Sequence, residues 1–229
     1  GAANPPGAGA AGGMLADRMD APGGTTHSGI YVAVAGNIGA GKSSLTRVLS
    51  SRYHLSPVYE AVDENPYLED FYADMPRYAF HSQIFFLAAR LKQHLREVNP
   101  GRRVIQDRTV YEDAAVFARL LHENGIMDER DHASYRTLYD AVSAALRPPD
   151  LLIYLRAGLP TLKRHIAQRG RSYEADIDDG YLERLGELYE RWIEDYSLSP
   201  VVVVPGADHF FHGKLHVIRN IVARTWQPL

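Results

Sequence analysis

Five short apolar runs separated by stretches of helical periodicity set the expected architecture. Ile30-Tyr31-Val32-Ala33-Val34-Ala35 has no polar alternation, the pattern of a strand buried on both faces. Pro57-Val58-Tyr59-Glu60 reads as a short second strand, and Val104-Ile105-Gln106-Asp107-Arg108-Thr109 as the third. Leu151-Leu152-Ile153-Tyr154-Leu155 and Val201 to Val204 supply the fourth and fifth. Helical spacing follows Ser43, and Asn65-Pro66-Tyr67-Leu68 starts another helix with Pro in its first turn. A longer amphipathic helix is expected over 78–98, broken by Asn99-Pro100-Gly101. Further helices are expected over 113–121, 131–146 (stopped by Pro148-Pro149), 159–169, 181–196 and 214–226. Strands alternating with helices predict an α/β fold, a five-stranded parallel sheet with helices on both faces.

The link between the first strand and its helix carries the most specific motif. Gly36-Asn37-Ile38-Gly39-Ala40-Gly41-Lys42-Ser43 fits the phosphate-loop pattern G-x-x-x-x-G-K-[ST] at every fixed position. Glycines let the backbone curl so that successive N–H groups face phosphate oxygens, and the helix N-terminus adds its dipole. Lys42 reaches the β and γ phosphates and the Ser43 hydroxyl ligates Mg²⁺ in such a loop. With strand before and helix after, a nucleoside triphosphate is the expected ligand.

Other chemistry falls at strand ends or on helices that can face this loop. Asp107 and Arg108 close the third strand, where a carboxylate suits a second Mg²⁺ ligand and an arginine suits a transferring phosphoryl group. The same pair would also suit a surface ion pair or a helix cap. Glu60 is a lone strand-end carboxylate, placed to take the proton of an attacking hydroxyl or simply to face water. Gln83 and Arg90 project from nearly one face of their helix beside Phe86 and Leu87, so both require polar partners, in a base edge or in a core network. Lys163, Arg164, Arg169 and Arg171 crowd a helix end, as ordinary stabilisers or as a mobile lid over polyphosphate. His209, His212 and His216 lack a supporting carboxylate or motif and read as structural or surface histidines.

Composition narrows the setting. The chain has 229 residues, 45% of them hydrophobic, enough to bury one α/β core. Its formal net charge of −3 argues against a nucleic-acid-coating surface. It contains no cysteine, which removes disulfides, thiolate metal sites and cysteine nucleophiles, and suits a reducing compartment. Residues 1–29 are rich in Gly, Ala and Pro and read as a flexible tail without a signal-peptide pattern, leaving 30–229 as one α/β domain. No run approaches the roughly 18 apolar residues of a membrane span. The expectation is a soluble, cytoplasmic protein.

Together these stretches resemble the deoxyribonucleoside kinases, and more closely their bacterial deoxyadenosine/deoxyguanosine branch. The resemblance runs through Gly36–Ser44, Glu60 with Asn65-Pro66-Tyr67-Leu68, and Phe71-Tyr72. It continues in Gln83 with Phe86-Leu87 and Arg90, Gln106-Asp107-Arg108-Thr109 with Tyr111-Glu112-Asp113, and Arg169-Gly170-Arg171. It implies a homodimer that moves the γ-phosphoryl of ATP to a deoxynucleoside 5′-OH. Carried over by position, Glu60 is the base, and Arg108 contacts the 5′-oxygen and the phosphates. Ser43 and Asp107 hold Mg²⁺, while residues 36–44, namely Gly36, Asn37, Ile38, Gly39, Ala40, Gly41, Lys42, Ser43 and Ser44, bind ATP with the lid residues Arg169 and Arg171. Gln83, Arg90 and Asp113 read the base, Phe117 stacks on it and Tyr72 holds the 3′-OH. Animal members carry an acidic residue where this chain has Gly180, so sugar recognition is expected from Tyr72 with Asp178 or Asp179. They also carry an arginine where this chain has His165. Two other classes share parts of the pattern: a nucleoside monophosphate kinase, whose acceptor would call for extra cations, and a non-catalytic phosphate-loop module. The stretch from Glu60 to Asp70 carries five acidic residues and no Lys or Arg, and the acceptor-side residues have no role in a mere switch.

Overall fold

A computed structural model describes residues 29–60 and 62–205. The expected tail (apart from Gly29), the three C-terminal histidines and the helix expected over 214–226 lie outside the described residues. Five parallel strands form one sheet in the order β2-β3-β1-β4-β5: β1 Tyr31–Gly36, β2 Ser56–Val58, β3 Val104–Asp107, β4 Leu151–Arg156 and β5 Val201–Pro205. The first strand is central. It pairs with β3 from Tyr31↔Val104 to Val34↔Asp107 and with β4 from Val32↔Leu151 to Gly36↔Leu155. Every residue of β1 and β3 is buried, as their unbroken apolar runs anticipate. At the sheet margins the pattern loosens: β2 buries only Val58, and β5 alternates, with Val202 and Val204 inward.

Helix α1, Lys42–Tyr53, links β1 to β2. Helices α2, Leu68–Ala73, and α3, Met75–Gln93, lie between β2 and β3, and α3 ends in a π-helical turn over His94–Val98. Next comes one continuous rod: α4, Val110–Glu112, a π-helical Asp113–Ala118, and α5, Arg119–Glu123. Helices α6, Glu129–Ser143, α7, Leu159–Arg169, and α8, Asp179–Asp195, complete the described chain. The crossover through α1 runs opposite in direction to the later ones. Right-handed connections therefore place α1 on one face of the sheet and α3, the rod and α8 on the other, where they pack together. No helix among the described residues is long and apolar enough to cross a membrane.

This topology fixes the working end. Strand order reverses around β1 and β3, and the crevice beyond their carboxyl ends is where open α/β sheets bind ligands. The phosphate loop leaves β1 there, beside the Asp107-Arg108 turn that leaves β3.

Candidate active site

A cavity of about 710 Å³ opens at that crevice, within the range of small-molecule sites. Ile38 to Ser44 line one end, and Glu60, Tyr72, Gln83, Asp113 and Phe117 line the other, with Asp107 and Arg108 between them.

The loop is shaped by backbone rather than by side chains. Gly39 sits at φ 78°, and a Cβ there would meet the Leu162 carbonyl oxygen at 2.7 Å, so only glycine fits. Gly41, at φ 94°, precedes α1 without any side-chain cap, which leaves the first N–H groups of the helix for an anion. Gly36 and Asn37 were expected to touch ATP but do not line the cavity. Asn37 instead ties the loop to α8, its Nδ2 donating to the Leu182 carbonyl at 2.8 Å and its Oδ1 accepting from Ile38 N–H at 2.7 Å. Lys42 Nζ donates to the Asn37 carbonyl at 2.9 Å, so the ammonium is already held inside the loop.

Burial, with Arg108 second, lowers Lys42 to about 8, against the pull of Asp107, Glu60 and Glu112. Folded protein thus binds fewer protons than unfolded chain between about 8 and 10.5. The stability penalty is full below pH 8 and fades as pH rises through that window. A polyanion in the loop would relieve it.

Ser43 Oγ donates to Asp107 Oδ2 at 2.5 Å, and Asp107 Oδ1 is buried without a protein partner. One hydroxyl and one half-satisfied carboxylate fit Mg²⁺, which takes few protein oxygens and keeps its waters. The alternative reading of Asp107 as a helix cap fails, because Thr109 caps α4. Its side chain accepts from Glu112 N–H at 3.4 Å while Glu112 Oε1 accepts from Thr109 N–H at 2.7 Å, a reciprocal capping box.

Arg108 lies just past β3 with φ 67°, a left-handed conformation that non-glycine residues seldom adopt. Its Nε is 3.1 Å from Glu60 Oε1, its Nη1 donates to Tyr189 Oη at 3.4 Å, and its guanidinium carbon lies 4.2 Å from the centre of the Phe117 ring. Phe117 therefore supports the arginine as well as lining the cavity. Glu60 also accepts from Arg90 Nη2 at 2.7 Å. Burial alone would raise the Glu60 carboxyl, but Arg108, Arg90 and Lys42 together hold it down at about 2.

Arg90 is 2% exposed and stands behind the cavity wall rather than in it. It forms ion pairs with Asp113 and Glu60, and Nη1 reaches the Arg108 carbonyl at 3.5 Å. Burial opposes its charge, yet the two carboxylates push it above the usual guanidinium range. The polar partners expected for Gln83 and Arg90 thus differ: Arg90 finds a core network, while Gln83 faces the cavity with a buried, unpartnered Oε1.

The cation cluster divides. Lys163 pairs with Asp179 at 2.7 Å on the outside, whereas Arg169 and Arg171 line the cavity and both pair with Glu174. His165 stands where the resemblance puts an arginine in animal members. Its Nδ1 lies 2.7 Å from the Gly39 carbonyl, an oxygen that can only accept, so Nδ1 carries the proton. Asp178 and Asp179 do not line the cavity, contrary to expectation, because Asp178 caps α8 through Tyr181 N–H and Asp179 holds Lys163. A further carboxylate that does line the cavity is Glu174, 4% exposed, on a turn whose Tyr173 stacks on Tyr72 at 5.7 Å. Sequence reasoning missed Glu174, since an acid three residues past a lid arginine looks like surface charge. It also left Glu112 and Tyr189 without roles, although the Thr109-x-x-Glu112 spacing was there to be read.

Comparison with known proteins places the chain among its relatives. A family model described as deoxynucleoside kinase matches residues 32–227. A deoxyadenosine/deoxycytidine kinase of Bacillus subtilis is 38% identical over 193 residues, covering 83% of this chain and 89% of the relative. A deoxyguanosine kinase of Lactobacillus acidophilus is 35% identical over 79% of this chain and 82% of its own length. A solved deoxyadenosine kinase from M. mycoides, with dCMP and dCDP as products, superposes with a TM-score of 0.76 at 32% identity, covering 86% of this chain and all of that one.

Proposed function

The chain belongs to the deoxynucleoside kinase family, and we propose that it moves the γ-phosphoryl group of ATP to the 5′-hydroxyl of a purine deoxynucleoside in nucleotide salvage. The observation that carries this reading is one cavity with a phosphate loop at one end, an acceptor pocket at the other, and Arg108 and Glu60 between them. Lys42 and the loop N–H groups hold the β and γ phosphates. Arg108 follows the phosphoryl group as charge spreads over its oxygens, and Glu60 receives the hydroxyl hydrogen bond. Ser43 and Asp107 would hold Mg²⁺, which supplies charge neutralisation on the phosphates when bound. Arg169 and Arg171 close over the polyphosphate and exclude water. Tyr72 and Glu174 hold the sugar 3′-hydroxyl. The same reading makes the protein a cytoplasmic homodimer. The family resemblance supports the dimer, and the absence of cysteine suits the compartment.

Base selection rests on Asp113 and Gln83 at the wall, with Arg90 fixing Asp113 from behind. A carboxylate accepts from an exocyclic amine, and thymine has none to offer. Assayed with ATP against a panel of deoxynucleosides, the protein should favour deoxyadenosine or deoxyguanosine over thymidine. Combining Arg90→Met with Asp113→Ala should narrow that preference by roughly 10-fold or more. A wild-type preference for thymidine would refute the assignment.

Lys42 gives a second test. Because its pKa is about 8 in the free protein, bound triphosphate should raise it and draw in a proton at alkaline pH. Calorimetric titration with ATP at pH 9, in two buffers of different ionisation enthalpy, should show uptake approaching one proton, and little at pH 7. Binding heats independent of buffer at pH 9 would contradict a Lys42–phosphate contact.

A further inference from the structure

Glu112 is fully buried, does not line the cavity and has no part in the reaction just described. Its two oxygens nevertheless collect donors from three separate elements. Oε1 accepts from Thr109 N–H at 2.7 Å, the residue directly after Arg108. Oε2 accepts from the Tyr189 hydroxyl of α8 at 2.6 Å and, at 3.4 Å, from the N–H of Gly36, where β1 becomes the phosphate loop. We propose that Glu112 is a positioning residue for phosphoryl transfer, aiming Arg108 and anchoring the start of the phosphate loop through one buried carboxylate. The inference rests on the reading of Arg108 as the phosphoryl ligand.

The polarity of the contacts carries the argument. A carboxylate only accepts, so Tyr189 must give its proton to Glu112. The lone pairs of the hydroxyl are then left for Arg108 Nη1, which donates to it at 3.4 Å. The relay Arg108 to Tyr189 to Glu112 therefore has one direction, and Glu112 sets it. At the backbone the bond to Thr109 clamps the residue that follows the left-handed Arg108, a conformation that persists only where neighbours over-determine it. The guanidinium is thus aimed from both ends. A Glu needed only for the capping box would work as well at the surface. Here it is 0% exposed, with its second oxygen turned to α8 and the loop.

The test uses Glu112→Gln, Tyr189→Phe and the double variant, with ATP and deoxyadenosine, each below its own melting temperature and beside wild type. Glutamine keeps the oxygen that accepts from Thr109 but places an N–H₂ donor against Tyr189. The hydroxyl proton must then turn toward Arg108, donor against donor. The kcat of Glu112→Gln should fall roughly 10- to 100-fold, the scale of a small misplacement of a catalytic group. Nucleoside KM and the Kd of ATP should stay within about threefold, a split that loss of general stability would not produce. Tyr189→Phe should show a similar fall, and the double variant should be no worse than the weaker single, since both cut one relay. A folded Glu112→Gln with kcat within twofold of wild type would overturn the role, as would losses that multiply in the double variant. If Glu112→Gln does not fold, Tyr189→Phe decides alone, and an unchanged kcat there overturns it. A wild type inert with every deoxynucleoside would be a separate result, defeating the reaction itself and this role with it.

Discussion

Lys42→Ala should lower kcat by at least roughly 10³-fold, more than loss of one neutral donor to a developing anion. Catalysis of phosphoryl transfer consists almost entirely of positioning and charge neutralisation, and in the proposed function Lys42 supplies both. Lys42 is 7% exposed and its ammonium is held at 2.9 Å by the Asn37 carbonyl, so no reorganisation is required as charge develops. With a pKa of about 8, it remains mostly protonated at pH 7. Stability should move the other way. The charged form carries a burial penalty at neutral pH, and alanine is the best helix former for the first residue of α1. The melting temperature should hold or rise while ADP release in a coupled assay disappears, the usual exchange between stability and function at a strained site. Near-normal turnover would remove the phosphate loop from the mechanism.

Glu60→Gln should lower kcat by roughly 10²–10⁴, the span of general-base loss, and nearer its lower end. The reason lies in the pKa of about 2. A carboxylate pinned between Arg90 and Arg108 is a weak base, so much of its work is orienting the 5′-hydroxyl toward the phosphorus. The loose transition state tolerates late proton transfer. Glutamine keeps the shape but leaves two buried guanidiniums short of an anion, so a lower melting temperature should accompany the slower turnover. ATP affinity should hardly change, because the residue faces the acceptor. The depressed pKa also sets a pH window: the stabilisation from Glu60 is complete above about 4.5 and disappears as pH falls toward 2. A variant with kcat within a few-fold of wild type but weaker ATP binding would show that Glu60 is not the base.

The strands were legible because buried parallel strands are written as unbroken apolar runs, and the phosphate loop because its spacing is rigid. The edges were less so. The second strand was expected to reach Glu60 but stops at Val58. Pro57 has no N–H for a ladder, so this edge pairs only briefly, and Glu60 stands beyond it on the way to the turn at Val62–Glu64. The helix expected from residue 113 begins at Val110, after the Thr109 cap. Its π-helical stretch, Asp113–Ala118, was not visible, since one wider turn barely disturbs an apolar period yet changes which way Asp113 and Phe117 face. The long-range partners of Glu112 and Arg90 depend on elements far apart in the chain, and no local pattern announces them.

Arg90 ties two traits that selection would otherwise tune separately. One guanidinium pairs with both Asp113 and Glu60, in the proposed function the groups that meet the base and the 5′-hydroxyl. A lineage that changes base preference at residue 90 must therefore also change the acidity of the group that receives the hydroxyl proton. Arg90 is one of the cations holding Glu60 down, so its replacement raises that carboxyl and carries the acidic limb of the rate profile to higher pH. Shifts of substrate range at this position come with pleiotropy in pH tolerance. The easier evolutionary route to a new base lies through Gln83, which faces the cavity without touching that balance.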